Sequence, residues 1–281
     1  MIKFMIDSAS DISKKEAEHY GIILVPMQVR FGDEEFFDGI DILPNIFYDK
    51  LVVSKNLPQT SLINEFRWEE EFKKATEDGS DVVLITISSK LSGTYSSAVE
   101  TAKKFEGKVF VVDSLSAAIG ERLLLERAIS LANSGMHASD IARTLDEEKS
   151  KVKLYAVLDT LKYLKKGGRI SATTAFVGEM LSIKPIVSVV DGEVKLVGKA
   201  RGLKNANKEL ASLIKLDGGF DYSMPYGLLY SGNDDINLKK FTEDYARIWA
   251  ENSRDIQAFQ IGCTIGTHVG PGAYGVSFFR Q

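Results

Sequence analysis

Two short Val-rich runs, residues 81–87 and 108–113, constrain the fold more than any other feature, because each is closed by polar turn residues and followed by a helical pattern. Apolar runs of this length suit strands covered on both faces, and strands alternating with helices suit a parallel sheet. The same rhythm opens the chain, with a strand at 3–7, a helix at about 12–21 with Asp11 as its N-cap, and a second strand at 22–31. Residues 33–58 read as a polar, irregular excursion with one short helix near 46–53. Residues 66–76, 122–133 and 138–149 read as helices. From about Lys151–Lys153 the rhythm changes. A strand at 155–158 and a short helix at 160–166 lead to a hairpin, 186–190 and 193–197, around Asp191-Gly192. Two amphipathic helices follow, with Leu203, Ala206, Leu210 and Leu213 on one face, and Leu238, Phe241, Tyr245 and Ile248 on another. Further strands are expected at 226–230, 256–262 and 273–279. The expectation is therefore an α/β protein of two domains. Residues 1–152 form an N-terminal parallel-sheet α/β domain, and residues 153–281 a C-terminal α+β domain with a hairpin and helices.

Ligands on parallel sheets bind beyond the carboxyl ends of the strands. Three hydroxyl-rich segments fall there: Asp7-Ser8-Ala9-Ser10, Ser88 to Ser97, and Asp113-Ser114-Leu115-Ser116. The second is the fullest. It turns from a strand into a helix that runs to about Phe105, and a helix N-terminus presents unpaired N–H groups and partial positive charge to an anion. Ser92 and its neighbours add small donors, and Gly93 lets a ligand approach the backbone. Three more segments are rich in glycine or hydroxyls: Thr60-Ser61, Leu164 to Ser171, and Ile265 to Ala273. The last reads as a loop whose glycines permit unusual backbone angles around Thr267 and His268.

Several function classes are disfavoured. A net charge of −4 argues against a global nucleic-acid footprint, and no apolar run approaches the length of a bilayer span. The N-terminal residues go straight into a strand rather than a signal-peptide pattern, and the single cysteine, Cys263, reads as a packing residue in a cytoplasmic protein. No His/Cys/Asp/Glu cluster has metal-ligand spacing, and no phosphate-binding glycine motif is present, so neither metal nor cofactor is expected. His19 and His137 read as structural. Charge is uneven, however. Between Lys162 and Lys208 ten basic residues face three acids, so a region of net charge +7 sits in a remainder of −11. Such an excess suits a face that meets phosphate or an acidic partner. Ser92 with His268 as a base also leaves open a serine-dependent acyl hydrolase, although no Gly-x-Ser-x-Gly elbow exists. A binder of some other small organic anion is a further alternative.

Five segments together carry a resemblance: Asp7-Ser8-Ala9-Ser10-Asp11, Leu91 to Ala98, Asp159 to Ser171, Ile183-Lys184-Pro185-Ile186, and Ile265 to Ala273. In this order, spanning residues 7 to 273, they resemble the DegV family. The resemblance implies a bacterial two-domain lipid carrier that binds one long-chain fatty acid and is not itself a catalyst. Some family members serve a separate ATP-dependent kinase subunit that makes an acyl-phosphate for phospholipid synthesis. It implies fatty-acid contacts at Thr60, Ser61, Ser92, Gly93, Thr94 and His268. Arg169 and Arg201, with Lys165 and Lys166, are implied to serve the phosphate or the partner at the pocket mouth, with Lys204 on the surrounding face. One departure stands out. The family's Thr-Ser-Gln-Pro-Ser segment reads Thr60-Ser61-Leu62-Ile63-Asn64 here, which implies a reshaped head-group pocket. Stable membrane insertion is not expected.

Overall fold

The computed structural model describes residues 1–170, 182–249 and 256–281. In the first half, β1 (Ile2–Asp7), α1 (Lys14–Tyr20) and β2 (Ile23–Val25) are followed by an excursion: β3 (Gln28–Phe31), β4 (Glu34–Phe37), α2 (Pro44–Val53) and β5 (Gln59–Ser61). The chain then returns through α3 (Glu65–Thr76), β6 (Asp81–Thr86), α4 (Thr94–Ala102), β7 (Val109–Asp113), α5 (Ile119–Asn133) and α6 (Ala138–Glu148). Strands pair in the order β2-β1-β6-β7, all parallel. Successive residues face opposite sides of a strand. Accordingly Met5, Val82 and Leu84 pack with Trp68 and Phe72 of α3, whereas Ile6, Val83 and Ile85 pack with Leu124 of α5 and Ile141 of α6. Burial on both faces explains why β6 reads as an unbroken apolar run.

The second half contains β8 (Val152–Val157), α7 (Lys162–Lys166), the hairpin β9 (Ile183–Val190) and β10 (Glu193–Arg201), and α8 (Leu203–Leu216). It continues through β11 (Tyr226–Tyr230), α9 (Ile236–Asp244), β12 (Ala258–Gln260), α10 (Cys263–Val269) and β13 (Tyr274–Phe279). Its sheet runs β10-β9-β8-β13-β11-β12 and is antiparallel except for the β11–β12 pair. One face packs on α8 and α9, joining Tyr155, Val157 and Ile186 to Leu210 and Phe241. The other presents Leu154, Ala156, Val187 and Leu229 to the first half, in one core with Met5, Ile87 and Ala117. That shared core positions the site. No helix among the described residues is long and apolar enough to cross a membrane.

Several elements depart from the sequence reading. The strand expected at 22–31 is two, β2 and β3, in different sheets, and the break falls at Pro26, which has no N–H for a ladder. Residues 33–58 are less irregular than expected, since β4, β3 and β5 form a small antiparallel sheet. Ser13, not Asp11, caps α1, in a capping box with Glu16. Asp11 instead adopts a left-handed backbone and accepts the Gly262 N–H at 2.9 Å. The segment expected as a loop around His268 is α10. Gly266 is helical, and a side chain there would begin 2.7 Å from the Tyr48 hydroxyl, so its role is to let α10 approach α2 closely. Only from Gly270, with φ +72°, does the backbone turn left-handed and end the helix. Cys263 is fully buried, with its thiol directed at the Ile42 carbonyl.

Candidate functional site

The turn between β6 and α4 is held from below by buried groups. Asp7 accepts the Ile87 N–H at 2.9 Å, and the Leu91 and Ser92 N–H groups close back on the Ser88 carbonyl. The Ser88 hydroxyl donates to the Gly192 carbonyl at 2.7 Å, which ties the β9–β10 hairpin tip to the turn. Hydroxyl groups then form a directed chain. Thr94 is fully buried, and its Oγ1 accepts the Ile63 N–H at 3.4 Å and lies 2.9 Å from Ser92 Oγ. If Ser92 were the donor of that pair, the Thr94 proton would be buried without an acceptor, which is costly. Thr94 therefore donates to Ser92, and the Ser92 proton is left for a group in the cavity. Thr94 does not itself line that cavity. Its hydroxyl stands behind Ser92, outside the lining where the resemblance implies a fatty-acid contact.

Opposite this turn stands α10. The Asp38 carboxylate accepts the Cys263 and Thr264 N–H groups at 2.9 and 3.0 Å, fixing the start of the helix. One turn on, His268 Nε2 lies 3.0 Å from Thr60 Oγ1 of β5. The ring packs so closely on Gly167 that a side chain there would begin 2.2 Å from Nδ1. Burial, with the Arg169 cation adding to it, pushes the His268 pKa down to about 4, so the imidazole is neutral at pH 7. Arg169 donates to the Leu91 and Gly167 carbonyls at 3.1 and 2.6 Å and pairs with no carboxylate among the described residues. Among the described residues these bonds engage two of its five N–H donors.

Between these walls lies a cavity of about 450 Å³, within the range of small-molecule sites. Its walls are overwhelmingly apolar, with Met27, Ile87, Leu154, Val187, Leu229 and Ile265 among them. Thr60, Ser61, Ser92, Gly93, Arg169 and His268 form its polar wall, tied together through the Thr60–His268 contact and the Arg169 bond to the Leu91 carbonyl, and Ser188 and Thr264 line it as well. Thr60, Arg169 and His268 also line a second, polar chamber of about 750 Å³. Arg30 and Lys166 join Arg169 there, and no carboxylate residue lines it among the described residues. The arrangement is an oily compartment with a polar wall that opens towards cations.

The structure thus brings together Thr60, Ser61, Ser92, Gly93, His268 and Arg169, with Lys166 beside them. Lys165 is exposed and lines neither space. Arg201 is placed elsewhere than expected. It is exposed at the far end of β10, and from the cavity-lining Val194 the strand runs roughly 24 Å to reach it. Ser171 and Glu179, counted in the sequence segments, lie outside the described residues. Gly93 has an ordinary φ of −72°, and part of the room its missing side chain leaves is filled by Leu62, whose Cδ2 is 2.9 Å from where a Cβ would stand. Sequence reasoning missed Arg30 and Asp38, which reach the site only through the excursion's tertiary placement. The hydrolase alternative finds no support in this geometry, since His268 bonds Thr60 rather than Ser92 and its Nδ1 has no orienting partner among the described residues.

The family described as "Uncharacterised protein, DegV family" matches residues 1–281. The chain belongs to the DegV family. A DegV domain-containing protein of Caldanaerobacter subterraneus is 33% identical over 279 residues, which is 99% of this chain and 98% of that protein. Among solved structures, a DegV family protein from Thermus thermophilus described for its fatty acid binding superposes with a TM-score of 0.89 at 28% identity, over 100% of this chain and 99% of that one. A stearic acid-binding protein from Eubacterium ventriosum gives a TM-score of 0.84 at 26% identity, covering 100% and 98%. The fold here is the mixed α/β fold of the matched DegV structures, with a parallel N-terminal sheet and a mixed C-terminal sheet.

Proposed function

We propose that this DegV protein binds a single long-chain fatty acid and presents its carboxylate to a separate ATP-dependent kinase subunit, which forms the acyl-phosphate used in phospholipid synthesis. One observation carries the reading: an apolar cavity of about 450 Å³ that shares Thr60, Arg169 and His268 with a polar chamber and carries Ser92 and Gly93 in its wall. An acyl tail gains about 0.8 kcal/mol per buried methylene in such walls. The carboxylate takes the Ser92 proton, sits at the N-terminus of α4, and faces the Arg169 fork. The structural relatives described as fatty-acid binders support the tail. The cationic chamber with Arg30, Lys166 and Arg169 supports the transfer step, because it offers the exposed side of the carboxylate a place for phosphate oxygens. On this reading the chain is a cytoplasmic carrier that performs no catalysis of its own, with no cofactor beyond its lipid. The 1–152 and 153–281 division then corresponds to two walls closing on one ligand.

Organic extraction of the purified protein followed by mass spectrometry tests the binding. Close to one free long-chain fatty acid per chain is expected, whereas a chain that carries none and takes none up from micelles refutes it. Transfer is tested by adding a DegV-partner kinase subunit and labelled ATP and following acyl-phosphate.

A further inference from the structure

We propose that Leu62 is an apolar gate over the head-group end of the cavity, which sets how fast a bound acyl anion leaves and turns its carboxylate towards the cationic chamber. The inference rests on the fatty-acid reading above and adds to it a residue for which neither the family resemblance nor the site chemistry supplies a role.

Leu62 lines the cavity, yet 47% of its surface is open to solvent. Among the described residues the other apolar side chains of the lining are buried or half-buried, so Leu62 is the apolar side chain that stands on the boundary between the oily compartment and water, between the exposed Ser61 and Gly93. Its backbone is fixed on both sides. Behind it, β5 pairs with β3 and Thr60 reaches His268. Ahead of it, the Ile63 N–H is directed at Thr94 Oγ1 at 3.4 Å, and the Ile63 carbonyl accepts the Ser97 hydroxyl at 2.5 Å. The stretch after β5 is thereby stapled onto the first turn of α4, and only the Leu62 side chain is left to move. It lies against the bare backbone of Gly93, with Cδ2 2.9 Å from where a Cβ would stand, beside the turn that carries Ser92. A half-exposed leucine flips between rotamers in picoseconds to nanoseconds, so the cover can open without moving the backbone.

The chemistry on the two sides of the seat differs. Towards Leu62 a carboxylate meets hydrocarbon, which cannot solvate it. Away from Leu62 it meets Arg169 and, beyond, Arg30 and Lys166. Leu62 thus closes the side from which water could strip the head group and leaves open the side that offers cations.

The test is stopped-flow release of a conjugated-polyene fatty acid probe from the full-length protein, chased with excess oleic acid, for wild type, Leu62→Ala, Leu62→Met and Ser92→Ala. Leu62→Ala should release the probe about tenfold faster or more, with association changed far less, since affinity differences between related complexes lie mainly in dissociation. Leu62→Met keeps the bulk and should restore slow release. Because Leu62 is half-exposed, the melting temperature of the ligand-free protein should not move in either variant. Wild-type release from Leu62→Ala, alongside weakened binding by Ser92→Ala, overturns the gate and leaves the fatty-acid reading standing. Release from Leu62→Met as fast as from Leu62→Ala also overturns it. Failure of the wild type to take up the probe defeats the fatty-acid reading itself, and the gate with it.

Discussion

The hydroxyl chain from Ile63 through Thr94 to Ser92 makes a prediction that a simple contact inventory does not. Ser92→Ala removes the donor to a carboxylate, a charge-assisted hydrogen bond of about 1.5–3 kcal/mol, which is a rise in Kd of about 10- to 150-fold. Thr94→Val keeps the shape of a fully buried side chain that does not line the cavity. It nevertheless removes the proton that Thr94 donates to Ser92 Oγ across 2.9 Å. Ser92 then keeps only the longer bond it accepts from the backbone N–H of residue 94 at 3.3 Å and loses the polarisation its neighbour's hydroxyl supplies, an effect on the scale of one neutral hydrogen bond, about 0.5–1.5 kcal/mol, or about 2- to 12-fold in Kd. The two residues act in series, so the costs must not add. Isothermal titration of delipidated protein with palmitate should show the Thr94→Val penalty in the wild-type background and less than about a twofold change once Ser92 is alanine. The variant also strips the Ile63 N–H of its acceptor, and that cost belongs to folding and is read separately from ligand-free melting curves. An equal Thr94→Val penalty in both backgrounds would refute the series arrangement and the direction assigned to the Ser92 proton.

Three further outcomes are expected. Gly167→Ala is compatible with the local backbone (φ −74°, ψ −9°) but places a methyl 2.2 Å from His268 Nδ1; the ring must shift off Thr60, and palmitate affinity should fall about 3- to 10-fold, the scale of one lost hydrogen bond, an unchanged Kd arguing against that bond. Arg30→Ala and Lys166→Ala should cut acyl-phosphate formation by the kinase subunit while leaving palmitate affinity within about twofold, with a shallower salt dependence than wild type; weakened palmitate binding with intact turnover would assign the chamber to the lipid instead. Stability should fall as pH rises from 5 to 8, because burial pushes Asp7 up from 3.8 to about 7 and holds Asp11 and Glu121 well above the usual carboxylate range. Burial favours the neutral form of these groups in the folded state over the unfolded chain, so their contribution is complete below about pH 4 and is lost as pH climbs through the folded values; Glu121→Gln, which replaces a carboxyl with both oxygens unpartnered among the described residues, should flatten the slope of melting temperature against pH, and a wild-type slope of the opposite sign would contradict it.

The parts of this molecule that local physics dictates were legible in the sequence. β6, β7 and β11 announce themselves as short apolar runs, and the Asp191-Gly192 hairpin as a turn with two positive φ values, 52° and 82°. The Ser92 turn was legible for the same reason, since a strand end, a glycine and a helix start all lie within a few residues. What the sequence hid is long-range. The Asp11 carboxylate looks like a helix cap until its partner, 251 residues away, is seen to be the Gly262 N–H. The glycines around His268 read as loop permission, whereas Gly266 serves a close approach between α10 and α2 that only tertiary packing reveals. Arg30 joins the cationic chamber because β3 leaves the main sheet at Pro26, a topological choice without a local signature. Arg201 shares the +7 region with Arg169, and the resemblance implies a place beside it at the pocket mouth, whereas a nine-residue strand carries it to the opposite end.

The central claim is that the cavity is a closed seat for an acyl tail with its carboxylate at one end, and chain-length dependence tests it most directly. Isothermal titration of the delipidated protein with saturated fatty acids from eight to sixteen carbons should show Kd falling about fourfold per added methylene, as ~0.8 kcal/mol per buried CH₂ requires, until the cavity is full. A Kd that is flat across the series would contradict it and leave an open anion site in its place.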